Sequence, residues 1–346
     1  MPRTRLIRRR VRRALLALLA ATALLLGAGL ATAGPAAAAP SPSAPDEGGS
    51  KQLRAALDAA ARGHIEAKAR LDNSKRRQTA LTGQLKQLDV RLVELTAQVG
   101  EVAAQSYRVG RLTPVSMLLA SSSPNAFVKR AAELDVMAQR DSKRLRDLNE
   151  TKAEAAQAKL ALDAEVREQQ KQLAVLARKK RDAEVALAKV SSGSGAGFGG
   201  GSASAKPAPR NPDGSWPSES CSVNDPTPAD GCITPRTLHM LQQAQAAGYQ
   251  RYVSCHRSGG DGEHPKGRAC DFAAATSGFK DVSATGGDKA YGDRLATWAK
   301  NNASRLGIMY VIWYRQIWMP NTGWRSYSGG GSPAADHTNH VHISMY

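Results

Sequence analysis

His264 and Asp271 stand seven positions apart in "GEHPKGRACDF", and His340 and His342 lie near the end of the chain in "DHTNHVHISMY". Imidazole and carboxylate are donors that a catalytic zinc takes, three from the protein with a fourth position open to water. The local pattern suits that chemistry: a loop histidine, a turn eased by Gly267, then an aspartate on an expected strand. On a strand His340 and His342 point to one face, roughly 6.5–7 Å apart at the backbone. That spacing fits one ligand and one neighbour able to handle a proton from metal-bound water. The competing reading is a surface histidine cluster that holds no metal. The metal reading requires the two segments to meet in space.

Other residues near these segments have weaker claims. Asp336 and His337 are expected as solvated loop residues. Trp313, Trp318 and Trp324 could line a substrate groove, with buried core the favoured role for the first two.

The N-terminus bears on where such a site would work. Seven arginines precede an apolar run from Ala14, and Ala31-Thr32-Ala33 gives an A-x-A cleavage pattern, so residues 1–33 are expected to be an export signal. An uncleaved anchor is the alternative. Removing that segment lowers the net charge from +18 by 7, to +11. Outside a cell the excess points to anionic wall polymers or acidic lipid headgroups. Nucleic acid is not expected as a partner, because no aromatic-basic groove is evident. Cys221, Cys232, Cys255 and Cys270 fall within one short region, and in an oxidising compartment they suggest two disulfides. Three pairings are possible, of which the local loops Cys221–Cys232 and Cys255–Cys270 are favoured. A four-thiolate zinc site lacks any C-x-x-C spacing.

The elements that must position these residues occupy the last third. Residues 34–50 form a Pro/Ala/Ser spacer. Residues 51–190 carry apolar positions in alternating steps of four and three, among them Leu81, Leu85, Leu88, Leu92 and Leu95, then Leu145, Leu148, Leu162, Val166 and Leu173. A break near 108–126 contains Gly110, Pro114 and Pro124 and the apolar residues Val115, Met117, Leu118 and Leu119. The expectation is a long antiparallel coiled-coil hairpin, each helix on the order of 85–100 Å. At its tip, a short helix could pack locally or a membrane-associated partner could dock. Residues 191–220 read as a flexible Gly/Ser/Pro linker. Residues 221–346 then read as an α+β domain with a sheet covered by helices on one face. Its expected elements are a helix capped by Thr234-Pro235, strands in "YQRYVSC" and "RACDFAA", a helix over Lys289–Leu306, a strand pair in "IMYVIWYRQIWM" and a last strand, "HVHISM".

"SCHRSGGDGEHPKGRACDF" and "DHTNHVHIS" resemble the two motif segments of the D-Ala-D-Ala metallopeptidase and hedgehog-like superfamily. "YVIWYRQIW" adds a third match in the right order, to a widespread secreted domain of that group. The hairpin resembles those preceding the catalytic domains of secreted cell-wall endopeptidases and their activators. The resemblance implies a zinc domain with an antiparallel sheet, Zn2+ as cofactor and peptidoglycan as partner. It also implies His264, Asp271 and His342 as zinc ligands, with Arg257 binding substrate and polarising the carbonyl. Carboxypeptidases of the group carry an acidic base three residues before the last ligand, where this chain has Asn339. The murein endopeptidases show His-x-His instead, which implies His340 as base, with an ordinary pKa near 6.5. The expected function is peptidoglycan hydrolysis, either endopeptidase or carboxypeptidase; the alternatives are a non-catalytic, zinc-containing wall-binding module and a scaffold anchored by the domain.

Overall fold

A computed structural model describes residues 48–346 apart from 111–112, 191–192 and 194. The expected export signal and most of the 34–50 spacer lie outside the described residues. Ser50 caps α1 (Lys51–Val109) by accepting from the Leu53 N–H at 3.1 Å. Ser123 does the same for α3 (Pro124–Ala188), whose first residue is proline. Between them lies the short α2 (Thr113–Leu119). Contacts such as Ser74 with Glu165 and Leu57 with the Ala183–Leu187 end of α3 make the two long helices antiparallel.

The seam follows the expected frame only in part. Leu88, Leu95 and Leu148 are buried, whereas Leu145 and Leu173 are about half exposed. An α-helix drifts about 20° per heptad against a 3.5-residue repeat, so a strict frame rotates out of a long contact unless the helices supercoil fully. Polar contacts fill such gaps, including a hydrogen bond of 2.8 Å donated by Gln169 Nε2 to Gln78 Oε1 and a paired Arg77–Glu165.

The C-terminal part contains β1 (Val223–Asn224), β2 (Cys232–Ile233), α4 (Pro235–Ala246), β3 (Val253–Ser254), β4 (Ala269–Ala273), α5 (Gly286–Leu306), β5 (Ile308–Trp313), β6 (Gln316–Met319), β7 (Gly323–Ser326) and β8 (His340–Met345). β1 and β2 pair alone; the main sheet has the order β3-β4-β8-β5-β6-β7 and is antiparallel throughout. One face packs on α4 and α5, with Phe272, Val341 and Ile343 against Met240, Leu295 and Trp298. The opposite face, expected to lack helices, carries Tyr310, Ile312, Ile317 and Met319 against Leu53, Leu57, Ala61, Ala183 and Leu187. The base of the hairpin is therefore the sheet's second layer.

The expected linker is also docked. Asn302 of α5 bonds the Ala203 carbonyl and the Ala205 N–H, and Ala208 N–H donates to the Arg305 carbonyl at 2.8 Å. Gly201 has φ 69°, and a Cβ there would fall 2.3 Å from the Arg294 carbonyl oxygen. Glycine here serves close approach to a helix backbone, a use that composition alone does not separate from flexibility.

Candidate metal centre

β4 and β8 are adjacent, and their register sets Asp271 opposite His342 and Ala273 opposite His340. Because side chains alternate, Asp271, His340, His342 and Ser344 share one face. His264 reaches that face from a one-turn 3₁₀ segment, His264–Lys266, closed by Gly267 at φ 66°. A Cβ at Gly267 would meet the Cys232 carbonyl at 2.6 Å. Two disulfides, Cys221–Cys232 and Cys255–Cys270, hold this region together. The second ties the end of β3 to β4 beside Asp271, and the Cys255 carbonyl accepts from His264 Nδ1–H.

That contact leaves His264 Nε2 with its lone pair, 3.1 Å from Asp271 Oδ2 and 3.3 Å from His342 Nδ1. His342 Nδ1 lies 2.8 Å from Asp271 Oδ1, while its Nε2 is 2.7 Å from Ser344 Oγ. With Ser344 accepting from Nε2–H, two nitrogen lone pairs and a carboxylate converge on one point. Such acceptors repel unless a cation or proton lies among them. Four ligands at about 2.0–2.2 Å around a tetrahedral ion stand about 3.3–3.6 Å apart. The observed contacts of 2.8–3.3 Å, which involve both Asp271 oxygens, are somewhat shorter than that, and the three groups offer the donor types that hold a small tetrahedral cation. The carbonyl and hydroxyl partners supply the outer bonds that metal-binding imidazoles need.

His340 is fully buried beside this triangle. Its Nδ1–H donates to Asn339 Oδ1 at 2.7 Å, and the Asn339 amide donates in turn to the Lys280 carbonyl. Asn339, expected only as a lost acid, thus sets the tautomer of His340. The Nε2 atom has no hydrogen-bond partner among the described residues and stands 3.6 Å from Asp271 Oδ1. The expected ordinary pKa is not what the site provides. Burial pushes His340 down to about 4 against the pull of Asp271, and the neighbouring His342 and His264 imidazoles and half-buried Arg257 add to the fall. At neutral pH it is a neutral acceptor. For Asp271, burial raises the pKa, but the charges and hydrogen bonds of the surrounding imidazoles outweigh it and hold the carboxyl well below its usual range.

His337 and Asp336 are not solvated. The Asp336 carboxylate accepts from the Gly329 and Gly331 N–H groups and from Arg315, which folds the loop back on itself. His337, at φ 53°, is thereby turned inward until its ring lies 4.7 Å from that of His340 and 5.6 Å from that of His342. Its Nε2 too is buried without a hydrogen-bond partner among the described residues. Burial first, then the neighbouring imidazoles, holds it neutral. The sequence signal for His337 was slight, a third histidine in an eleven-residue tail; Ser344 could have been found two residues beyond His342 on the same strand face. Trp313 is buried with its N–H on Asp293, Trp318 is only half-buried against the core, and Trp324 packs edge-on to Phe198.

Residues 229–338 match the family described as VldE, C-terminal domain. That span includes Arg257, His264, Asp271 and His337 and ends before β8. No curated protein matches, and no solved structure matches.

Proposed function

We propose that residues 221–346 are a zinc peptidase domain of the hedgehog and D-Ala-D-Ala metallopeptidase type, exported and acting on peptidoglycan stem peptides or cross-links. The observation that carries this reading is the triangle of His264, Asp271 and His342, with a neutral His340 imidazole beside it. Zinc held there would supply Lewis acidity toward an amide carbonyl and acidify water. His264 would bind through Nε2, His342 through Nδ1 and Asp271 through its carboxylate. His340 would take a proton at Nε2 and return it to the leaving amine, with Asn339 keeping Nδ1 protonated. His337 would extend that path. Arg257 would pair with a substrate carboxylate or with charge developing on the carbonyl oxygen. The two disulfides are consistent with an extracellular protein, and among the described residues no helix is long and apolar enough to cross a membrane.

A second reading, a zinc-containing wall-binding module without hydrolysis, draws support from Asn339 standing where a carboxylate base would be. Incubating the purified protein with peptidoglycan, with and without a chelator, decides between them. Chelator-sensitive release of muropeptides supports the peptidase; zinc-dependent binding without release supports the module.

A further inference from the structure

The residues of the candidate centre are closed off from solvent. His264, Asp271, His340 and His342 are each 0–1% exposed, and no peptide could reach them as they stand. The cause is visible in the sheet register. Cross-strand neighbours share a face, and His342 pairs with Ile312 while Ser344 pairs with Tyr310. Those two β5 residues belong to the layer packed under Leu53, Leu57 and Ala61 of α1. The Tyr310 ring lies nearly parallel to that of His342, 5.7 Å away, so a single side chain separates the hairpin from a candidate ligand.

The hairpin also clamps the loop that carries His264. Arg62 reaches Glu263, the neighbour of His264, at 2.8 Å, and Glu263 is 2% exposed. Lys51 pairs with Asp261 at 2.9 Å. The Gly49 N–H, just ahead of α1, donates to the Gly329 carbonyl at 2.9 Å, pinning the loop that turns His337 inward.

We propose that the base of the hairpin is an inhibitory cover over the metal centre, and that substrate enters only when α1 lifts from the sheet. The proposal rests on the peptidase reading for its purpose, but the cover itself is a property of the fold. The apolar contact between α1 and the sheet is ringed by the Lys51–Asp261 and Arg62–Glu263 pairs, and the disulfides hold the centre's own segments together whether or not α1 is seated.

The test uses the full chain. Leu57→Asp places a charge in the contact, and hydrogen exchange then follows residues 51–65, 257–273 and 337–345. The expected result is faster exchange in all three segments with helix content retained, and roughly tenfold or faster stripping of zinc by phenanthroline. Loss of protection in 51–65 with 257–273, 337–345 and the stripping rate unchanged would overturn the cover. A second arm needs no folding variant. A carbodiimide joins Lys51 to Asp261 as an amide with loss of water, locking the closed state; Lys51→Arg, which cannot be joined, is the control. Locked protein should lose zinc more slowly than the control and show slower exchange at 337–345, and equal rates for both would also overturn the proposal. Unmutated protein that binds no zinc would sink the peptidase reading, while the exchange data would still decide on the cover.

Discussion

At the scale of single residues, the proposed reading assigns His264, Asp271 and His342 to holding a metal and His340 to moving a proton, and the two roles separate by mutation. Changing His264, Asp271 or His342 to Ala removes one of three protein donors and should empty the site, as read by elemental analysis. His340→Ala should keep near-stoichiometric zinc and lower muropeptide release on the order of 10²–10⁴-fold. Loss of zinc from that variant would make His340 a ligand; unchanged turnover would pass the proton role to His337. Asp336 gives a pH dependence with a definite sign. Burial raises its pKa, but two backbone N–H groups and Arg315 outweigh that and lower it in the fold. Its stabilisation is present above the unfolded value of about 3.9 and is lost as pH falls through the lower folded value. Asp336→Asn should therefore cost about 1–3 kcal/mol at pH 7 and little at strongly acid pH. Urea denaturation at the two pH values checks this, and an equal cost at both would count against it.

At the scale of elements, the Gly/Ser stretch and the disulfides make different demands. Gly201→Ala would set a methyl against the α5 backbone in a conformation that L side chains rarely adopt. The segment should detach, at a cost on the order of 1–3 kcal/mol. The check is limited proteolysis: cutting between residues 199 and 218 should be slow in the parent chain and fast in the variant. Equal cutting rates would mean that the segment is free in solution. The paired cysteines predict no free thiol in denatured, unreduced protein, and titration of four would remove both bridges. The exposed Val115, Met117 and Leu119 of α2 leave a membrane-associated partner at the tip as a proposal.

At the scale of the molecule, α3 alone has 65 residues, about 98 Å of helix. Its far end is remote from the sheet, while its base, at Ala183–Leu187, packs with α1 against the sheet. Small-angle scattering should report a longest dimension of at least about 95 Å. A compact particle would mean that the two long helices bend back on themselves. Hairpin and domain are coupled through a buried apolar layer, so thermal unfolding of the α1 base and of β5 should coincide. Two separated transitions, with the sheet melting later, would show that the layer adds little.

What the sequence determined by itself was local. Caps at Ser50, Ser123 and Thr234 mark helix starts through side-chain oxygens that reach N–H groups three residues on. The alternation His-Val-His assigns two imidazoles to one face of a strand, and short cysteine spacings favour local bridges. These are properties of nearest neighbours along the chain, so they survive without knowledge of the fold. Only the tertiary structure decided that His337 turns inward, because the turn is made by Asp336 bonding two glycines of its own loop and Arg315 from the turn after β5. It also decided that Asn339 orients His340 and that His340 titrates far below its ordinary value, since desolvation depends on everything packed around a group. The docked glycine segment and the hairpin lying over the candidate metal face depend on residues about ninety or more positions apart. Periodicity shows which face of a helix is apolar; it does not say which surface that face will cover.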